Sequence, residues 1–97
     1  MNEAVIVSAV RTAAGKAPNG TLRGTRPDEL AATAIGEALR RAPGIDPAEI
    51  DDVIMGAALQ QGTTGFNTGR QCAIAAGLPV TVAGMSVDRE CSSGLMS

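Results

Sequence analysis

The feature that most constrains the fold is an alternation of short apolar runs with segments of helical pattern. The apolar runs cover residues 4–10, 53–59 and 80–87, and the first is rich in β-branched side chains. Runs of this length are typical of strands buried on both faces, as in parallel or mixed sheets. The element order is β, α, β, α, β, followed by the start of another helix. This order predicts an α/β layered fold with a mixed, largely parallel sheet covered by helices.

Capping signals set the bounds of the helices. Proline and two acids at residues 27–29 predict a helix start, and residues 40–44 predict its end through two arginines followed by Pro-Gly. Residues 46–49 have the pattern of a capping box and predict a short helical turn. Asn67 predicts the N-cap of a second helix, which Gly77 ends.

Small side chains dominate the composition. Alanine and the 12 glycines together approach a third of the 97 residues. Such residues bury little area each and let backbones pack closely, so we expect this chain to be a layer inside something larger. The chain ends six residues after Cys91. We therefore expect a domain that is truncated just after its last helix begins.

Charge and composition exclude several classes of function. Eight basic and ten acidic residues give a net charge of −2, which offers no basic surface for nucleic acid or for a membrane. The chain has no histidine, which removes histidine-ligated metal and a histidine base, and we predict no metal site. Residues 1–10 lack the pattern of a signal or membrane segment. Two cysteines without C-x-x-C spacing are typical of reduced thiols, so we predict a cytoplasmic protein.

Cys91 is the sharpest candidate for chemistry. It follows a predicted strand and stands where a helix begins, the arrangement of a nucleophile elbow with sulfur in place of oxygen. Backbone N–H groups and the helix dipole there would stabilise a thiolate and an oxyanion. A buried structural cysteine is the common alternative, and spacing leaves both open. Cys72 lies in the middle of a predicted helix and is interpreted as a core residue.

Other candidates have a plainer interpretation. Residues 62–70 contain glycines that could cradle a phosphate, but they match no phosphate-binding motif, so turn and capping roles are favoured. Arg11 and Arg70 are expected to form ion pairs. The acidic pairs at residues 28–29 and 51–52 are interpreted as solvated or capping groups.

Several segments taken together resemble one family. Residues 5–12 resemble the first strand of thiolases, and residues 56–62 resemble their second strand. Residues 67–73 and 76–79 are similar to the helix that follows. Residues 87–95, with the sequence VDRECSSGL, resemble the stretch around the thiolase nucleophile. The resemblance covers essentially the whole chain and identifies it as an N-terminal part of a thiolase.

The resemblance implies an acyl-CoA acyltransferase. Cys91 would take an acyl group as a thioester and pass it to acetyl-CoA or CoA, and its backbone N–H would be an oxyanion donor. No cofactor is implied, since the coenzyme A thioesters are substrates. Thiolases are dimers or tetramers, and residues 80–87 would be the strand that pairs with its twin. The family's activating histidine and second catalytic cysteine are absent, so residues 1–97 alone are expected to be an inactive, partial N-terminal domain.

Two alternatives remain beside the thiolase interpretation. One is a non-catalytic thiolase-like module for assembly or for binding a lipid carrier. The other is a related Claisen synthase that uses the same cysteine. A departure from the family also stands near the nucleophile: Asp88 replaces an asparagine that many members carry three residues before the cysteine. An acid there would add negative potential near a thiolate.

Overall fold

The computed structural model describes residues 2–97 of the chain. It contains two strands, three α-helices and two single-turn 3-10 helices. The strands are β1 (Asp52–Gly56) and β2 (Ala83–Val87), the α-helices are α1 (Pro27–Arg40), α2 (Thr68–Ala75) and α3 (Ser93–Met96), and the 3-10 helices are Pro47–Glu49 and Gly62–Thr64.

The two strands are parallel neighbours, with Asp52 opposite Ala83 and Gly56 opposite Val87. Helix α2 lies in the connection between them, as a parallel pair requires. The predicted α/β class with a parallel sheet is therefore confirmed.

The ends of α2 follow from its sequence. Asn67 accepts a hydrogen bond from the Arg70 N–H at 3.0 Å, which is the predicted N-cap. At the other end Gly77 has φ +79°, and Leu78 N–H donates to Ala73 O at 3.1 Å. This is the hydrogen-bond pattern of a Schellman motif, so the predicted glycine stop is confirmed.

Helix α2 packs so closely on β2 that the backbones of the two elements are in direct contact. A Cβ on Gly84 would lie 2.5 Å from the Arg70 nitrogen, and a Cβ on Gly69 would overlap the Met85 backbone. Side chains tie the same elements together: Asn67 Nδ2 donates to Gly84 O at 2.7 Å. Gly69 N–H donates to Ser86 Oγ at 3.1 Å. This contact explains why small residues occur in both elements.

The hydrophobic core lies between α1, α2 and the sheet. Ala73, Leu78 and Val82 are buried at its centre. Side chains from α1 and from the region of β1 pack around them, among them Ile35, Leu39, Ile50 and Val53. Helix α1 covers the predicted residues and begins with proline, and none of its residues is fully buried.

The predicted first strand is wrong. Residues 4–10 form no strand, and Val5, Ile6 and Val7 are 71%, 89% and 61% exposed. In the described part of the chain β1 and β2 pair only with each other, so this run has no hydrogen-bonding partner. Apolar β-branched residues favour a strand only where a neighbouring strand and a packing surface exist.

The predicted third strand begins three residues later than expected. Val82 N–H donates to Pro79 O at 3.0 Å, so residues 79–82 form a turn. Val82 is fully buried, and the apolar character of this stretch therefore belongs to the core rather than to the ladder.

Candidate active site

The candidate site is the turn between β2 and α3, residues 88–93, called here the Cys91 turn. Cys91 lies exposed within it. The strand before it ends at Val87 and the helix after it begins at Ser93. The strand–turn–helix arrangement predicted around Cys91 is therefore present.

Side-chain hydrogen bonds hold the Cys91 turn. Ser93 Oγ accepts from the Arg89 N–H at 2.8 Å and donates to Glu90 O at 2.6 Å. Asp88 Oδ1 accepts from the Glu90 N–H at 3.0 Å, and Ser92 Oγ donates to Arg89 O at 2.8 Å. Asp88 thus serves a structural purpose, and the oxygen of an asparagine could accept the same bond.

Glu90, directly before Cys91, has φ +49°. Side chains with a Cβ adopt this left-handed conformation infrequently, because it is sterically unfavourable. The hydrogen bonds to the Glu90 N–H and to the Glu90 carbonyl compensate for that cost. They hold a sharp turn in the chain directly before the cysteine.

The Cys91 turn also lies directly against β1. A Cβ on Gly56 would lie 2.5 Å from Gly94 N and from Ser93 O. Only glycine allows the end of β1 to approach the start of α3 this closely. Gly56 and Ser93 are the residues whose roles the sequence left unassigned. The glycine that follows the apolar residues of β1 indicates that some other part of the chain approaches closely there. The spacing of the sequence does not show which part that is.

Cys91 lies at the surface of the described chain, two residues before the start of α3. A surface cavity of about 280 Å³ lies beside the turn, and Arg89, Ser92, Leu95 and Met96 line it. Of the two apolar side chains in that lining, Leu95 is 93% exposed and Met96 is 49% exposed.

The two cysteines differ sharply in environment. Cys72 is fully buried in α2, and burial raises the pKa of its thiol, with a further contribution from the Asp28 carboxylate. Both cysteines are free thiols. The core interpretation of Cys72 is confirmed, and only Cys91 is presented to solvent.

The remaining candidates are structural. In residues 62–70, Gly62 begins a 3-10 turn with φ +60° and Asn67 caps α2, so the turn and capping interpretation is confirmed. The ion pairs expected for two arginines do not form within residues 2–97. Arg70 donates to the Val80 and Val82 carbonyls, and Arg11 donates to Thr12 O at 3.3 Å.

The acidic pairs behave as solvated and capping groups. Asp28 pairs with Arg26 at 3.0 Å and accepts the Glu29 N–H, while Asp51 and Asp52 are exposed. Across residues 2–97, no group of three or more histidine, cysteine or acidic side chains could hold a metal ion. No helix in the described chain is long and apolar enough to cross a membrane.

The chain forms a parallel α/β layer and exposes a cysteine at the sharp turn between a strand and a helix. This arrangement places it in the class of proteins with a cysteine at a nucleophile elbow. The family profile described as "Thiolase, N-terminal domain" matches residues 4–97. The chain therefore belongs to the thiolase family, as its sequence motifs indicated.

Individual relatives agree with the family match. The 3-ketoacyl-CoA thiolase of Bacillus subtilis is 48% identical over 97 residues, which are 100% of this chain and 25% of that protein. The 3-ketoacyl-CoA thiolase of Saccharophagus degradans is 43% identical over 96% of this chain and 24% of its own length. The Beta-ketoadipyl-CoA thiolase of Escherichia coli is 44% identical over 98% of this chain and 23% of its own length. The chain thus spans about a quarter of the length of these relatives.

Proposed function

We propose that the protein is an acyl-CoA acyltransferase of the thiolase type that carries its acyl group on Cys91. The observation that supports this most is the exposed cysteine in a turn fixed by four side-chain hydrogen bonds, on a chain of the thiolase family. Relatives named as 3-ketoacyl-CoA thiolases supply the substrate class.

The proposed step is a thioester exchange. The Cys91 thiolate attacks the carbonyl carbon of an acyl-CoA, and a new S–C bond forms as the bond from that carbon to the CoA sulfur breaks. CoA leaves as a thiolate and takes up the proton that Cys91 lost. In the second transfer the S–C bond to Cys91 breaks. The acyl carbon bonds either to the α-carbon of acetyl-CoA, which loses a proton to a base outside residues 1–97, or, in the reverse direction, to the sulfur of CoA, which loses its proton. The Cys91 backbone N–H is the proposed donor to the oxyanion of the tetrahedral intermediate.

Residues 1–97 hold no histidine, and their second cysteine is buried. We therefore propose that they act as part of a larger N-terminal domain and are inactive alone, since the proton transfers need a base. No cofactor is required, because the CoA thioesters are substrates. Two reduced thiols are consistent with the proposed cytoplasmic location.

A second copy of the chain is the proposed protein partner, and it would pair along β2 to form a dimer or tetramer. Ala83 N–H donates to Asp51 O, and Ala57 N–H donates to Val87 O, so alternate residues of β2 face β1. Gly84 and Ser86 therefore direct main-chain groups to the opposite edge. Asn67 already donates to Gly84 O there, and the remaining groups are a template for another strand. Light scattering of the protein expressed from its native gene tests this, and a monomer contradicts it.

The experiment for the enzymatic proposal uses the same protein, mixed with acetyl-CoA and digested for peptide mapping. We expect an acetyl group on the peptide that contains Cys91, and its loss in Cys91→Ala. Cys72→Ala is the control and should be labelled as the wild type is. Label on another residue, or none, contradicts the proposal and favours the non-catalytic module. A label on Cys91 without thiolytic activity favours a Claisen synthase.

A further inference from the structure

We propose that Ser93 is a positioning residue that holds the Cys91 sulfur and backbone for attack. The proposal rests on the function proposed for Cys91. It concerns how the turn is kept in place, and the family relation alone gives no role to this hydroxyl.

The first argument is the position of the Ser93 hydroxyl. It accepts from the Arg89 N–H at 2.8 Å and donates to Glu90 O at 2.6 Å. Arg89 and Glu90 precede Cys91, and Ser93 follows it. One side chain therefore joins the chain on both sides of the cysteine and closes the turn around it.

The second argument is burial. Ser93 is 4% exposed, while Cys91 two residues earlier is exposed. Gly56 packs directly against the Ser93 and Gly94 backbone. The hydroxyl therefore lies inside the molecule and fixes the turn against β1, in a place where water cannot readily substitute for it.

The third argument is the conformation of Glu90. Its φ of +49° is infrequent for a residue with a Cβ, and the Glu90 peptide is bonded at both ends. Asp88 accepts its N–H at 3.0 Å, and Ser93 takes its carbonyl. The Ser93 N–H also donates to that carbonyl at 3.1 Å, so the hydroxyl itself contributes a second bond to Glu90 O and the bond to the Arg89 N–H. Without these two contributions residues 89–90 would be held less firmly, and Cys91 would move with them.

Displacing the sulfur should affect two reactions differently. Acyl transfer needs the sulfur about 3–3.5 Å from the carbonyl carbon and the N–H aimed at the oxyanion, so a misplacement near 1 Å costs about 100-fold. Alkylation by iodoacetamide needs only an exposed thiolate. A positioning role thus predicts loss of acylation with alkylation preserved, whereas unfolding changes both.

The test compares single-turnover acetylation of Cys91 with its alkylation by iodoacetamide, in the protein expressed from its native gene. For Ser93→Ala we expect acetylation to fall about 10- to 100-fold while alkylation stays within about threefold. Ser93→Thr retains the hydroxyl and should restore most of the rate. Thr68→Ala is the matched control, since Thr68 is 4% exposed like Ser93 and its hydroxyl also bonds the backbone, donating to Thr64 O at 2.7 Å, but it lies outside the turn.

A second variant covers the case in which Ser93→Ala does not fold. Asp88→Ala releases the N–H of the same residue, Glu90, from an exposed position, and it should also lose acetylation selectively. If Ser93→Ala folds and is acetylated at the wild-type rate, the proposal is overturned. If Ser93→Ala does not fold, a wild-type rate of acetylation in Asp88→Ala overturns it instead. An equal loss in Thr68→Ala overturns it too. Failure of the proposed function is a separate result, since the wild type itself would then not be acetylated on Cys91.

Discussion

Residues 4–10 and strand β2 are both short apolar segments that lie beside a helix. Residues 4–10 read AVIVSAV and have the stronger β-propensity, yet β2, which reads AGMSV, is the strand. Strand β2 has a parallel partner and two hydrogen bonds from residues of the α2 region, one from Asn67 Nδ2 and one from the Gly69 N–H. The difference shows that partners and close packing, rather than propensity, decide where a strand forms in this chain.

Packing around residues 4–10 is loose by the same comparison. An open surface groove lies between residues 9–12 and α1. Ser8 Oγ is buried with no hydrogen-bond partner among residues 2–97. At β2, in contrast, the backbone of the strand is in direct contact with the backbone of α2. The Cys91 turn follows β2 directly, so the candidate nucleophile is joined to a strand that packs closely against α2.

The largest expected effect comes from breaking the α2–β2 contact. Gly84→Ala places a Cβ 2.5 Å from the Arg70 nitrogen, so the two elements must separate. We expect a loss of about 3 kcal/mol in the free energy of unfolding, measured with urea. Gly36→Ala is the control, because its Cβ meets nothing within 4 Å inside α1, and it should stabilise by about 0.5 kcal/mol. Equal effects of the two changes would contradict the comparison.

A pair of matched truncations gives the next effect. Val82→Ala removes two methyl groups from a fully buried site and should cost about 2 kcal/mol in thermal or urea unfolding. Val5→Ala removes the same atoms from a side chain that is 71% exposed, and should change stability by less than about 0.5 kcal/mol. A larger cost at Val5 would show that residues 4–10 pack more tightly than the structure indicates.

The smallest effect concerns the helix that faces residues 9–12. Hydrogen bonds from Arg40 and then Arg41 lower the pKa of Glu37 from 4.5 to about 2. Because the folded-state pKa is the lower one, this stabilisation is complete above pH 4.5 and is lost as the pH falls toward 2. The melting temperature of Glu37→Gln should lie slightly below that of the wild type at pH 7, and the difference should vanish near pH 2. A difference that grows in acid would contradict this assignment.

The sequence predicted the elements whose signals are local. The bounds of α1, the Asn67 cap and the Gly77 stop depend on nearby residues and were predicted correctly. The strand at residues 4–10 was wrong because strand formation depends on a distant partner. Cys91 was found through its motif. The Ser93 hydrogen bonds and the Gly56 contact depend on the meeting of β1 with α3 and could not be derived from spacing.

The chain buries Cys72 and exposes Cys91, the cysteine that we propose carries the acyl group. The most direct test of this proposal is alkylation of the protein from its native gene by iodoacetamide, with and without acetyl-CoA, followed by mass mapping of both thiols. The account predicts that Cys91 is alkylated, that acetyl-CoA protects it, and that Cys72 is unreactive in both samples. Alkylation of Cys72 that is faster than alkylation of Cys91 would contradict this account. An absence of protection of Cys91 by acetyl-CoA would contradict it as well.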